Sequence, residues 1–96
     1  MVKPYKEIIL SDTGVIRTFR ETLDNEELKW HWDDEDRYVE LIDESDWEFQ
    51  FDDALPIKFP KRLIIPRMMW HRVIKGKGDL KIAISRIDLN RFSLSQ

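Results

Sequence analysis

The stretch PRMMWHRVI, Pro66 to Ile74, sets one histidine in a run of aromatic and aliphatic residues just after a proline. The chain's other histidine, His31, lies in KWHWDDEDR, Lys29 to Arg37, flanked by Trp30 and Trp32. Both segments read as strands, so the first question is whether two strands bring the two imidazoles together.

Outward from these segments, short apolar or alternating runs recur with turn signals between them. KEIIL is followed by SDTG, where Gly14 can supply a positive φ for a tight turn. VIRTF comes next, and RETLDNEE reads as a loop or one helical turn. LKWHW alternates with period two, RYVELI is a further strand, and DESD is a turn. WEFQF puts Trp47, Phe49 and Phe51 on one face as core residues. Pro56 and Pro60 exclude DDALPIKFPK from the middle of a central strand. RLIIP, WHRVI, the turn KGKGD and LKIAIS complete the set. Roughly nine strand candidates at a spacing of about 8–12 residues predict an all-β antiparallel sandwich or barrel.

Ninety-six residues make one domain, and 42% apolar residues suffice for a modest core rich in rings. Net charge is −3, with acidic residues crowded between Asp24 and Asp53, so no long-range basic field for nucleic acid exists. The absence of cysteine excludes disulfides, thiolate catalysis and Cys-ligated metal sites. No segment approaches membrane-spanning length, and the N-terminal residues lack a signal-peptide core, so a cytoplasmic protein is expected. The three glycines are scattered turn residues and form no phosphate loop.

The candidate chemistry therefore rests on the histidines. In a strand, His31 and Asp33 point the same way, and an imidazole beside a carboxylate suits a first-row divalent metal if a distant histidine joins them. The alternation leaves two assignments open. Either Trp30 and Trp32 are buried and His31 and Asp33 face water, or the polar face looks inward and the indoles point out. His71 reads equally as a ligand or as a core imidazole satisfied by one carbonyl. Arg37 reads as a bidentate holder of an anionic ligand or as a partner of its acidic neighbours.

HWDDEDRYVELI followed by LIIPRMMWHRV resembles the cupin superfamily, over residues 28–85. The first cupin motif has the form H-x-H, then a few residues, then Glu. The second has the form P-x-G-x-x-H. Pro66 and His71 match the second motif, with Met68 where glycine is usual. His31 matches the first histidine of the first motif, Asp33 stands at the second, and the glutamate falls at Arg37 or Tyr38. The resemblance implies a single-domain cupin-like antiparallel β-barrel, or jelly roll, with core 28–85 and N-terminal strands 5–20 packed on it. It implies a metal site of His31, Asp33 and His71 for Fe, Mn, Zn or Ni, with Arg37 or Tyr38 orienting a small polar or anionic ligand. If the protein is an enzyme, oxygenase, isomerase or lyase chemistry is implied. The alternative is a metal-free, non-catalytic dimeric binding or regulatory module. If His31 and Asp33 point inward, Trp30 and Trp32 form an outer apolar patch, for which a homodimer is the expected cover.

Overall fold

The computed structural model describes residues 3–90. Eight antiparallel strands run in the order β1 (Lys6–Ile9), β2 (Gly14–Phe19), β3 (Asp36–Leu41), β4 (Glu48–Phe51), β5 (Ile57–Lys58), β6 (Arg62–Ile65), β7 (His71–Ile74) and β8 (Leu80–Ile87), with a single 3-10 turn at Asn25–Glu27. They form a five-stranded sheet ordered β1-β2-β8-β3-β6 and a three-stranded sheet ordered β5-β4-β7. The all-β barrel expected from the spacing of apolar runs is what forms.

The period-two pattern decides which side chains meet between the sheets. Val39 from β3, Phe49 from β4 and Leu80, Ile82 and Ile84 from β8 are buried, and Trp47, just before β4, is fully so. Trp47 satisfies its one polar atom by donating Nε1–H to the Gly78 carbonyl at 2.8 Å, which allows an indole to sit in the core. Gly76 lies against the same segment so closely that a Cβ there would run into the Asp46 carbonyl and the Trp47 amide.

Two turns differ from the simplest reading. Gly14 is not left-handed. It opens β2, and its carbonyl accepts from the Leu10 and Ser11 amides at 2.9 and 3.2 Å. Among the described residues, the left-handed positions are Gly78, at φ 72°, and Met68, at φ 66°. LKWHW is not a ladder strand either. It meets the smaller sheet at one residue pair, His31 with His71.

Asp36 fixes the start of β3. Its carboxylate accepts from the Arg67 amide at 2.8 Å and from the Leu89 amide at 3.0 Å. Those N–H donors, Arg67 first, hold its pKa below the ordinary 3.8. The bond to Arg67 ties β3 to the turn that leads into β7, so two elements carrying site residues share one anchor.

Candidate metal centre

His31 and His71 exchange both backbone hydrogen bonds, at 3.0 and 2.9 Å. Residues paired in this way project side chains from the same side of the sheet, and the two ring centroids lie 4.3 Å apart. Each ring is oriented by its own strand. His31 Nδ1 lies 3.0 Å from the Lys29 carbonyl, and His71 Nδ1 lies 2.8 Å from the Met69 carbonyl. A carbonyl only accepts, so Nδ1 carries the proton, and Nε2 is the nitrogen that offers a lone pair in the neutral ring.

The surroundings of the two rings differ. His71 is buried and stacked on Phe49 at 5.6 Å, whereas His31 is exposed at the cavity mouth. Burial pushes the His71 pKa below its ordinary 6.5, against an upward pull from the Met69 carbonyl. It is therefore a neutral ligand-type imidazole at neutral pH.

Asp33 completes the group. Its Oδ2 lies 3.5 Å from His71 Nε2 and its Oδ1 lies 3.4 Å from Arg37 Nη1. Oδ2 is buried with no hydrogen-bond partner. One ligand atom from each of His31, Asp33 and His71 lies within 4.8 Å of the others. That spread is slightly wider than one ion holds at bonds of about 2.1 Å, so ligation would draw the unpinned carboxylate inward. Two imidazoles with oriented Nε2 atoms and a buried carboxylate oxygen lacking a partner fit a divalent transition ion.

The polar face of the His31 segment is therefore the inner one. Trp30 and Trp32 point out, at 37% and 42% exposure. Trp30 is covered in part by the Arg72 guanidinium at 4.7 Å, and Trp32 meets Trp70 edge-on at 6.5 Å.

Above the cluster opens a cavity of about 350 Å³, with Tyr5, Phe19, Leu28 and Val73 among its walls and His31, Asp33, Arg17 and Arg37 among its polar lining. Arg37, expected beside a ligand, is there. Tyr38, its expected companion, is not. Adjacent strand residues face opposite ways, and Tyr38 pairs with Ile64 and Ser85 on the outside of the larger sheet. Tyr38 thus leaves the candidate site.

Sequence reading missed Arg17. Its signal was present, because Val15, Arg17 and Phe19 share one face of VIRTF and a charge on an otherwise apolar face needs a buried partner. That partner is Glu7, at 2.6 Å, and the guanidinium also lies over the Tyr5 ring at 4.2 Å.

No family model and no curated protein matches the chain in sequence. Solved structures do match in three dimensions. A protein from Photorhabdus luminescens is similar at 19% identity and a TM-score of 0.63, covering 100% of this chain and 91% of that one. A cupin domain from Bordetella pertussis is similar at 13% identity and a TM-score of 0.58, covering 92% and 99%. The hydroxypropylphosphonic acid epoxidase from S. wedmorenis, in complex with fosfomycin, is similar at 9% identity and a TM-score of 0.60, covering 86% of this chain. The chain spans only 50% of the epoxidase's length. At these identities the likeness concerns the fold: this chain has the cupin fold.

Among the described residues, no helix is long and apolar enough to cross a membrane.

Proposed function

We propose that the protein binds a divalent transition metal, one of Fe, Mn, Zn or Ni, through His31, Asp33 and His71, and a small polar ligand in the cavity above them. One observation carries the reading. Three donor atoms converge in the barrel mouth, and two of them are aimed there by backbone carbonyls on the far side of their rings. A bound ion would supply Lewis-acid or redox chemistry. The chain's own residues have separable tasks. His31 and His71 hold Nε2 outward, Asp33 supplies negative charge, Arg37 orients an anionic group, and Phe19 and Val73 keep water from the inner wall.

A second reading, a metal-free dimeric binding or regulatory module, is favoured by Arg37. Its guanidinium, 3.4 Å from Asp33, balances that carboxylate without an ion. The proposal includes a homodimer through the exposed tryptophans and a cytoplasmic location.

Elemental analysis of protein purified without chelating resin, followed by titration of the stripped chain, tests the metal. Near-stoichiometric metal, lost in a His31→Ala, His71→Ala double variant, is the expected result. Metal retained by that variant places the ligands elsewhere, and no metal under any condition favours the second reading.

A further inference from the structure

We infer that Arg37 anchors the carboxylate of a small carboxylic acid in the mouth cavity, and that this binding is positively coupled to metal at His31, Asp33 and His71. The inference rests on the metal reading above and names the ligand class of the same site.

Arg17 and Arg37 both line the cavity, and Arg37 is the one with a buried donor that lacks an acceptor. Arg17 is held by Glu7 at 2.6 Å and lies over the Tyr5 ring. Arg37 reaches Asp33 at 3.4 Å and Glu35 at 3.3 Å. A charge-assisted bond is normally about 2.7–2.9 Å, so both contacts are loose. Its Nε is buried with no hydrogen-bond partner, and its side chain is 17% exposed. A buried cationic donor without an acceptor is costly, and the same side chain lines the cavity. A planar carboxylate matches the edge of a guanidinium with two parallel bonds. Tyr5, Phe19, Leu28 and Val73 offer apolar walls for the rest of such an acid.

The coupling follows from charge. Glu7 offsets Arg17, and Asp33 and Glu35 offset Arg37 and Arg86, so the fixed charges around the site balance. A divalent ion at the three donors engages Asp33 and leaves Arg37 with Glu35 as its remaining partner, beside added positive charge. An anion relieves that excess in a poorly solvated space, so each ligand strengthens the other.

The test titrates the chelator-treated full chain with Co2+, followed by calorimetry and the visible spectrum of the ion, with no added anion, with benzoate, or with inorganic sulfate. Benzoate is expected to tighten Co2+ at least about tenfold, within the range of ordinary allosteric coupling, and sulfate is not. Arg37→Gln is expected to abolish the benzoate effect while Co2+ alone binds as well or better, since a neighbouring cation is gone. A guanidinium with a purely structural role gives the opposite result, weaker Co2+ binding with the benzoate effect intact. If Arg37→Gln fails to fold, Arg37→Lys, which keeps the charge and loses the fork, must lose most of the coupling. Co2+ binding indifferent to benzoate overturns the inference and leaves the metal reading standing. A sulfate effect equal to that of benzoate overturns the carboxylate class. Absence of Co2+ binding in all three conditions defeats the metal reading, and the coupled site with it.

Discussion

His31 and His71 are backbone partners in an isolated antiparallel bridge, and that one pairing sets their imidazoles 4.3 Å apart. The pair is nevertheless unequal, because His71 is 4% exposed while His31 stands in the mouth. Substituting either by alanine removes a ligand. In the metal-free protein, however, His31→Ala should change stability by no more than about 0.5 kcal/mol. His71→Ala should cost about 2–4 kcal/mol, through a cavity against Phe49 and a Met69 carbonyl left unpaired. Urea unfolding of both variants in chelator checks the contrast, and equal costs would contradict it.

Met68 occupies a glycine's conformation, at φ 66°, with its amide donating to the Asp33 carbonyl at 2.6 Å. A left-handed residue bearing a Cβ costs about 1–2 kcal/mol. Glycine returns part of that gain, about 0.4–1 kcal/mol, as unfolded-state entropy. Met68→Gly should therefore stabilise the protein by about 0.5–1 kcal/mol, although Met to Gly elsewhere destabilises. Met68→Ala, which keeps the Cβ, should show no such gain in the same denaturation assay.

The depressed pKa of His71 sets a pH dependence. Because burial holds its folded pKa below 6.5, the unfolded chain takes up this proton first as pH falls. The stability contribution of the neutral ring is fully present above 6.5 and declines below it, until the folded imidazole itself protonates. Unfolding free energies of metal-free protein between about pH 7.5 and about pH 5 should show this loss, and His71→Gln should flatten the slope.

Gly76 admits no side chain. Gly76→Ala forces the turn away from Asp46 and Trp47 and should cost about 1–3 kcal/mol by overpacking. Gly78→Ala, where a Cβ meets nothing within 4 Å, is strained only by its φ of 72° and should cost less. Thermal melts of the two variants side by side test the ranking.

The outer indoles bear on assembly. Trp30, Trp32 and Trp70 are 37%, 42% and 46% exposed, an aromatic surface suited to burial against a second copy. Light scattering at tens of micromolar should give a dimer mass that falls toward the monomer in Trp32→Ala. A monomer in both proteins would contradict the homodimer.

The barrel was legible because period-two runs such as WEFQF and LKIAIS leave little choice of buried face, and Trp47, Phe49, Leu80 and Ile82 are where that pattern puts them. The pairing of His31 with His71 was legible through the resemblance, not through alternation, which allowed either face of LKWHW to be the inner one. Only the second segment decides between them, and that is a contact between distant parts of the chain. Tyr38 was misplaced because the motif was aligned in sequence with no register to assign it a face. Arg17 was overlooked because an arginine in a strand reads as solvated unless its apolar face-mates, Val15 and Phe19, are weighed. Met68 was visible only as a departure from a glycine. Its backbone conformation gives that departure an energetic meaning.

The larger sheet has a further consequence for the order of assembly. Among the described residues β8 is the last strand, yet it lies between β2 and β3 and supplies Leu80, Ile82 and Ile84 to the core. Until it emerges, β2 and β3 have no common neighbour, and the β1–β2 hairpin has nothing to dock on. A nascent chain, extended at about 5–20 residues per second, must therefore carry its β1–β2 hairpin and its β3–β6 pair without their shared neighbour until translation passes Ile87. Closure by so distant a strand also places this domain among slow folders, on the millisecond-to-second scale of non-local β topologies. In the cell, the interval before β8 arrives is when this chain has most need of a chaperone.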